Sequence, residues 1–358
     1  MSFDKQLQDL RQKIDRIDDQ ILDLISQRAN LAKKIGIGKQ ENKVAPYAAN
    51  REKIIYQRLE KLNKGPLSNE EIRTLFKEII SACLSLEKPL RIAYLGPEAT
   101  FTHQAALNQF GHSPQFIQIP TIDGIFGEVE KKRCDYGVVP IENSTEGSIY
   151  RTLDMFFETP LKICAEISLE VSLYLLSSIE KIEDIQKIYS HPQALAQCSR
   201  WLANNLPDIP VHAVSSTAMA AKKAVKEPNV GAIASKVSAS IYNLNILKEK
   251  IEDYSKNFTR FWVVGHQSPE KSGHDKTSIM FSIKDAVGAL YKVIYPFSKY
   301  DINMTRIESR PFKERPWEYI FFADVEGHTS NSNLKKSLEE IEKMVNFLKV
   351  LGSYPRSV

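Results

Sequence analysis

The sequence predicts a multidomain chain: an all-α helical N-terminal domain, a two-lobed α/β middle domain, and a small α+β unit of ferredoxin-like plan. Three observations carry this. Residues 1–88 repeat apolar side chains at three- and four-residue steps. From Leu90 onward short apolar strands alternate with helices, each strand ending in a polar or Gly-rich turn. After a linker at 266–276 rich in Ser, Gly and charge, the elements follow the order βαββαβ. A chain of 358 residues suffices for two or three cores, with boundaries expected at 1–88, 90–266 and 276–352.

In the first domain Leu7, Leu10, Ile14, Ile17, Ile21, Leu24, Leu31 and Ile35 form one stripe, and Arg28 fills its only gap. A helix over 4–40 would be about 55 Å long at 1.5 Å per residue, too long for the rest of the domain to cover. It is expected to pack against a second copy, making an intertwined homodimer. A second helix spans 50–62 and ends at Asn63-Lys64-Gly65-Pro66. The third opens on the capping box Ser68-Asn69-Glu70-Glu71, stapled by Leu67 and Ile72. Its stripe of Ile72, Phe76, Ile79, Ile80 and Cys83 reaches Glu87 before Pro89 stops it.

The middle domain reads as strands near 91–95, 137–140, 187–189, 211–214, 230–234 and 260–265, a pattern that predicts a largely parallel sheet. Residues 162–175 alternate apolar and polar throughout, the pattern of one strand crossing between two lobes. In open α/β sheets ligands sit at the carboxyl ends of strands. The last unit reads as strand 277–283, helix 286–299, strands 302–307 and 317–325, helix 334–348, and a strand near Val350.

Composition excludes several classes. The chain is 42% apolar and 26% charged, a globular balance. Its net charge of +4 is too mild for a nucleic-acid partner. Residues 1–88 hold 17 basic and 13 acidic side chains while the remainder balances at 31 each, so any anionic ligand is to be sought first in the helical domain. No leader or membrane-length apolar run is evident, which predicts a cytoplasmic protein with no membrane partner. Cys83, Cys134, Cys164 and Cys198 form no C-x-x-C pair and the histidines are scattered, so no metal is expected. Gly36-Ile37-Gly38-Lys39-Gln40-Glu41 lacks the third glycine of a nucleotide fingerprint, and no cofactor is expected.

Charged residues on a core-facing stripe need partners. Arg11, Arg28 and Lys39 on the first helix, Arg51 and Glu52 on the second, and Glu87 on the third read either as interface salt bridges or as a pocket for a small dicarboxylate. Arg11 and Arg28 are 17 residues apart, roughly 26 Å, too far to hold one small ligand on one helix. Arg11 would therefore serve the partner's pocket. Arg28 and Lys39, roughly 16 Å apart, could share one ligand. The series Leu10-Arg11-Gln12-Lys13-Ile14-Asp15, Arg28, Ile35-Gly36 to Lys39, and Arg51-Glu52 resembles an AroQ-type chorismate mutase. The resemblance implies that Arg28 and the partner's Arg11 grip the carboxylates of chorismate. Lys39 and a proton-donating Glu87 would meet its ether oxygen, Glu52 its hydroxyl, and Arg51 would support the wall. Ala48 replaces an Asp that some members of the family use near the hydroxyl, and Cys83 replaces a Ser of the third helix.

The turns Gly96-Pro97-Glu98-Ala99-Thr100-Phe101-Thr102, Val139 to Ser148, Ser190-His191-Pro192-Gln193, Ser215-Ser216-Thr217 and Asn257-Phe258-Thr259-Arg260-Phe261 each read singly as helix caps and strand starts. Together, in this order, they resemble prephenate dehydratase across 90–266. That resemblance makes Thr259 the acid or proton relay and Arg260 a carboxylate anchor. It makes Asn143 and Gln193 substrate-positioning residues, with Glu142, Ser144 and Thr145 shaping their turn. Ala99 stands where the family usually has Gly. Gly288-Ala289-Leu290 and Glu308-Ser309-Arg310-Pro311, the latter expected after the second strand, resemble the phenylalanine-binding signatures of an ACT domain, with Asn303 and Trp317 nearby. The series resembles the bifunctional chorismate mutase–prephenate dehydratase family, which implies phenylpyruvate formation and feedback inhibition by L-phenylalanine. A phenylalanine sensor without catalysis, and a dehydratase acting on arogenate, are the competing readings.

Overall fold

The structure is a computed structural model and describes residues 3–42, 44–283, 286–311 and 319–357. It divides into two compact bodies: a helical one of 3–48, 54–90 and the short segment 110–115, and a larger one of 49–53, 91–109 and 116–357.

The N-terminal helices are α1 (Phe3–Glu41), α2 (Ala49–Leu62) and α3 (Asn69–Glu87). The capping box forms: Ser68 Oγ accepts from the Glu71 amide at 3.2 Å, and the Glu71 carboxylate accepts from the Ser68 amide at 2.7 Å. Gly36 is the buried residue of α1. Along the apolar stripe Leu10, Ile14, Ile17, Ile21, Leu24, Leu31 and Ile35 are between 48% and 62% exposed, so a single chain leaves the stripe uncovered. Segment 110–115 packs here because Ser81 Oγ donates to the Phe110 carbonyl at 2.6 Å and Tyr47 lies on the Phe110 ring.

The first lobe of the larger body contains β1 (Arg91–Leu95), α4 (Phe101–Phe110), β2 (Gln115–Ile119), α5 (Ile122–Glu130), β3 (Tyr136–Asn143), β4 (Gly147–Ser148), α6 (Tyr150–Met155) and β5 (Lys162–Glu170). The second has β6 (Tyr174–Ser177), β7 (Lys187–Ser190), α7 (Pro192–Gln197), α8 (Ser199–Asn205), β8 (Val211–Ala213), α9 (Thr217–Lys226), β9 (Val230–Ala234), α10 (Lys236–Tyr242) and β10 (Asn245–Lys248). The chain then returns to the first lobe through β11 (Phe258–Gly265). The sheet orders are β2-β1-β3-β11-β5, with β4 on β3, and β10-β6-β9-β7-β8.

Two expectations are corrected. Residues 162–175 form two strands, one in each lobe, interrupted at 171–173. There the Val171 amide donates to the Asn257 carbonyl and the Leu173 amide to Glu252, tying the outgoing crossing to the returning one. The sheets are also mixed rather than largely parallel: β1 and β3 are parallel, but β11 is antiparallel to both β3 and β5. A strand leading out of a lobe and one leading back run in opposite directions, so as neighbours they pair antiparallel.

The last unit is β12 (Asp275–Ser282), α11 (Ala289–Lys299), β13 (Met304–Pro311), β14 (Tyr319–Glu326), α12 (Ser332–Glu342) and β15 (Phe347–Pro355), in sheet order β13-β14-β12-β15. Met280, Ile320, Phe322, Leu351 and Tyr354 of this sheet join Phe156, Ile163 and Trp262 of the first lobe in one core. The two backbones meet so closely that a Cβ on Gly352 would lie 2.4 Å from the Ile163 carbonyl oxygen. Glu308 to Pro311 lie within β13 rather than after it, because β14 pairs with them down to Pro311 opposite Tyr319. Trp317 lies outside the described residues.

Candidate active sites

In the helical body the absence of a side chain at Gly36 lets α1 approach α3: a Cβ there would lie 2.8 Å from the Glu87 Cα. One turn further along, Lys39 Nζ donates to Glu87 Oε2 at 2.8 Å and to the Pro46 carbonyl at 2.7 Å, both ends partly shielded from water. The fold thus joins two expected site residues 48 positions apart. Arg28 is half-buried on the same helix, Arg11 exposed; on α2, Arg51 is exposed and Glu52 half-buried. Ala48 precedes α2 without a side-chain cap, as its methyl group requires.

A cavity of about 310 Å³ in the larger body is lined by residues of both lobes, among them Gly96, Thr100, Thr102, Asn143, His191, Gln193, Gln197, Ser215, Ser216, Thr217, Asn257 and Thr259. Thr259 lies opposite Asn143 in the β3–β11 ladder. Its Oγ1 accepts from Asn143 Nδ2 at 2.9 Å, and the same Nδ2 donates to Asn257 Oδ1 at 2.8 Å. The backbone amide of Thr145 can only donate, and it meets Asn143 Oδ1 at 3.0 Å. That contact fixes which way round the Asn143 amide sits. Thr259 Oγ1 is therefore occupied as an acceptor, and its own proton stays available for the cavity. Asn257 Nδ2 donates in turn to Gln197 Oε1 at 3.2 Å.

The cavity lining, among the described residues, contains no Lys, Arg, Asp or Glu. Hydroxyls and the starts of α7 and α9 line it instead, with Ser216 Oγ capping α9 through the Met219 amide at 3.0 Å. The loop before Thr100 is held from both lobes at Ala99: its amide donates to His103 Nδ1, while its carbonyl accepts from Ser235 and Ser238 hydroxyls at 3.2 Å each. Ala99 has φ 67°, the left-handed conformation that glycine adopts freely. The loop thus follows a glycine-like path despite the methyl group.

Arg260 is arranged differently from its expected role, and Glu142, Ser144 and Thr145 hold the turn and its surroundings. Arg260 does not line the cavity, because side chains alternate along a strand and Thr259 takes the inward position. Its guanidinium donates to Glu142 at 2.7 Å, Glu166 at 2.5 Å and Asp324 at 2.8 Å. Glu142 faces the same side, while Ser144 Oγ accepts from the Phe258 amide at 2.9 Å. Thr145 donates through both amide and hydroxyl to Asn143 Oδ1. Sequence reasoning identified the hydroxyl-rich turns but not the individual roles of Asn257 and Gln197. Glu166, on the polar face of the alternating run, is buried against Lys276 at 2.8 Å.

In the last unit Gly288, with φ 73°, precedes α11, and Ala289 and Leu290 open it. Asn303 lines an open groove with Tyr291, Tyr295, Ser298 and Glu326. Glu308 accepts from Arg306 at 2.7 Å and pairs with Ser148; Arg310 pairs with Asp154, while Ser309 and Pro311 face outward.

The chain matches three families in succession: Chorismate mutase type II over 10–88, Prephenate dehydratase over 92–269 and ACT domain over 277–343. It is 49% identical to the bifunctional chorismate mutase/prephenate dehydratase of Aquifex aeolicus, with 99% of each chain covered. It is 45% identical to that of Pseudomonas aeruginosa, with 100% of each covered. Among solved structures, prephenate dehydratase from Arthrobacter aurescens in complex with L-Phe superposes with a TM-score of 0.69 at 31% identity. The match covers 75% of this chain and 90% of that one.

Proposed function

We propose how two reactions are divided within this chain, which belongs to the bifunctional chorismate mutase/prephenate dehydratase family. In the rearrangement of chorismate to prephenate no covalent intermediate forms, so the helices supply only orientation and charge. Lys39 donates to the ether oxygen as its bond to carbon breaks and negative charge gathers there. Glu87 lies beside it on α3. Arg28 and the partner's Arg11 hold the two carboxylates, Glu52 orients the ring hydroxyl, and Arg51 backs the wall. The uncovered apolar stripe of α1 supports an intertwined homodimer, since burying it against a second copy removes the exposed Leu and Ile side chains from water.

In the dehydration the hydroxyl leaves as water, the bond to the departing carboxylate breaks, and its electron pair completes the aromatic ring of phenylpyruvate. The leaving hydroxyl needs a proton, and Thr259 supplies or relays it. The hydrogen bond it accepts from Asn143 leaves its O–H as the donor, and is the observation that carries this reading. Gln193, the Ser215-Ser216-Thr217 turn and the helix starts hold the dianion without a lysine or arginine. Apolar Leu95, Phe101, Val171 and Leu173 poorly solvate the carboxylate that must depart as CO2. Prephenate is the substrate in preference to arogenate because the fused mutase produces it.

L-phenylalanine is the inhibitor, bound at the ACT unit around Gly288 to Leu290, Asn303 and Glu308 to Pro311, and favouring the less active state. No helix among the described residues is long and apolar enough to cross a membrane. Together with four free cysteines, this supports a cytoplasmic location.

The test is a stopped assay on chorismate with and without L-phenylalanine. Phenylpyruvate whose formation phenylalanine suppresses is the expected result. Accumulation of prephenate alone would confine catalysis to the helices, and binding of phenylalanine without turnover would make the chain a sensor.

A further inference from the structure

Thr259 and Arg260 are adjacent on β11 and point to opposite faces, one into the cavity and one into a buried ion cluster. Arg260 holds Glu142, the neighbour of Asn143, on β3; Glu166 on β5; and Asp324 on β14. Lys276 on β12 grips both oxygens of Glu166 at 2.8 and 2.9 Å. Ser278 Oγ donates to the other oxygen of Asp324 at 2.6 Å and meets Tyr354 Oη at 2.6 Å. Asp324 and Glu166 are almost completely buried, with side chains 2% and 5% exposed. One guanidinium therefore joins the residues next to both Thr259 and Asn143 to a carboxylate of the ACT sheet. The β3–β11 ladder is irregular between Arg260 and Phe261, while β5 pairs with β11 in register from Phe258 to Val263 on the other side.

We propose that Asp324, on the ACT sheet, is a positioning residue for the dehydratase: through Arg260 it fixes the placement of Thr259 against Asn143. The inference rests on the reading of Thr259 as the proton donor and deepens it. A buried Asp–Arg contact aims a strand that carries a reacting group, and a small displacement of that group costs rate more than affinity. It also makes the ACT sheet part of the structural support of the dehydratase site.

The test compares the full chain with Asp324→Asn, Arg260→Lys and the double variant, measuring kcat and KM on prephenate and mutase turnover on chorismate in each sample. The cluster holds Glu142, Glu166, Glu308 and Asp324 against Arg260, Lys276 and Arg306, so Asp324→Asn leaves three charges of each sign. The expected result is a drop of about tenfold in dehydratase kcat with KM within about twofold and mutase turnover unchanged. In the Arg260→Lys background Asp324→Asn should add less than about a further twofold, because the two act through one contact. Ser278→Ala, which removes one hydroxyl that aims Asp324, should lower kcat about threefold and carries the test if Asp324→Asn does not fold. Unchanged kcat in Asp324→Asn, additive losses in the double variant, or a loss confined to KM would overturn the inference. Absence of dehydration in the unsubstituted chain would instead overturn the underlying reading, and the inference with it.

Discussion

Thr259 Oγ1 and Asn143 Nδ2 lie 2.9 Å apart across 116 residues of chain, in a cavity with no Lys, Arg, Asp or Glu among its described lining. With no lysine or carboxylate there to replace it, the hydroxyl should be indispensable. Thr259→Val is expected to lower dehydratase kcat at least about 100-fold, and Asn143→Ala by about 10²–10³, a range typical of a lost active-site donor. Mutase turnover in the same samples should not change. Thr259→Ser, which keeps the hydroxyl, should retain most of the rate.

Lys39 reaches Glu87 only because Gly36 lets two helices touch. Lys39→Met should abolish mutase turnover by about 10²–10³-fold while phenylpyruvate formation from added prephenate persists. Gly36→Val should do the same indirectly, since its side chain would meet the Glu87 backbone. Thermal unfolding should separate the two, the glycine variant melting earlier than the lysine variant.

The left-handed Ala99 is a balance of small terms. Releasing its strain with glycine gains ~1–2 kcal/mol. Extra backbone freedom in the unfolded chain costs ~0.5–1 kcal/mol, and the lost methyl burial about 0.8 kcal/mol. Ala99→Gly should therefore change stability by less than about 1 kcal/mol in a urea titration, whereas Ala99→Val, β-branched at a positive φ, should destabilise clearly.

Alkaline stability should reflect Tyr94 and Tyr354. Burial, aided by the Glu98 carboxylate and Tyr242, pushes the Tyr94 phenol from 10.0 to about 12. Burial and the charges of Asp324 and Glu166 hold Tyr354 well above its ordinary value. Both folded values exceed the unfolded one, so their contribution is complete below pH 10.0 and is lost as pH rises through the folded values, about 12 for Tyr94. Tyrosinate absorbance followed with circular dichroism should show these two ionising only as the fold is lost. Early ionisation in a folded chain would contradict their burial.

The sequence by itself determined what depends on neighbours along the chain. The α1 stripe, the Ser68–Glu71 capping box, the strands at Arg91–Leu95 and Val230–Ala234 and the order of the last unit follow from local periodicity and capping. The hydroxyl-rich turns also announced themselves, because strand ends that open helices need oxygen caps. Tertiary structure alone decided which side chains of those turns meet. A period-two pattern does not say which face of β11 looks into a cavity, so Thr259 and Arg260 could be separated only once β3 and β5 were in place. Glu166 lies on the polar face of an alternating run, and it is buried because the ACT sheet covers that face and brings Lys276 to it. The split of 162–175 likewise arises where two lobes share one alternating run, a break with no local signal. Pairing between residues more than a hundred positions apart is set by how sheets stack, and a one-dimensional pattern carries no record of it.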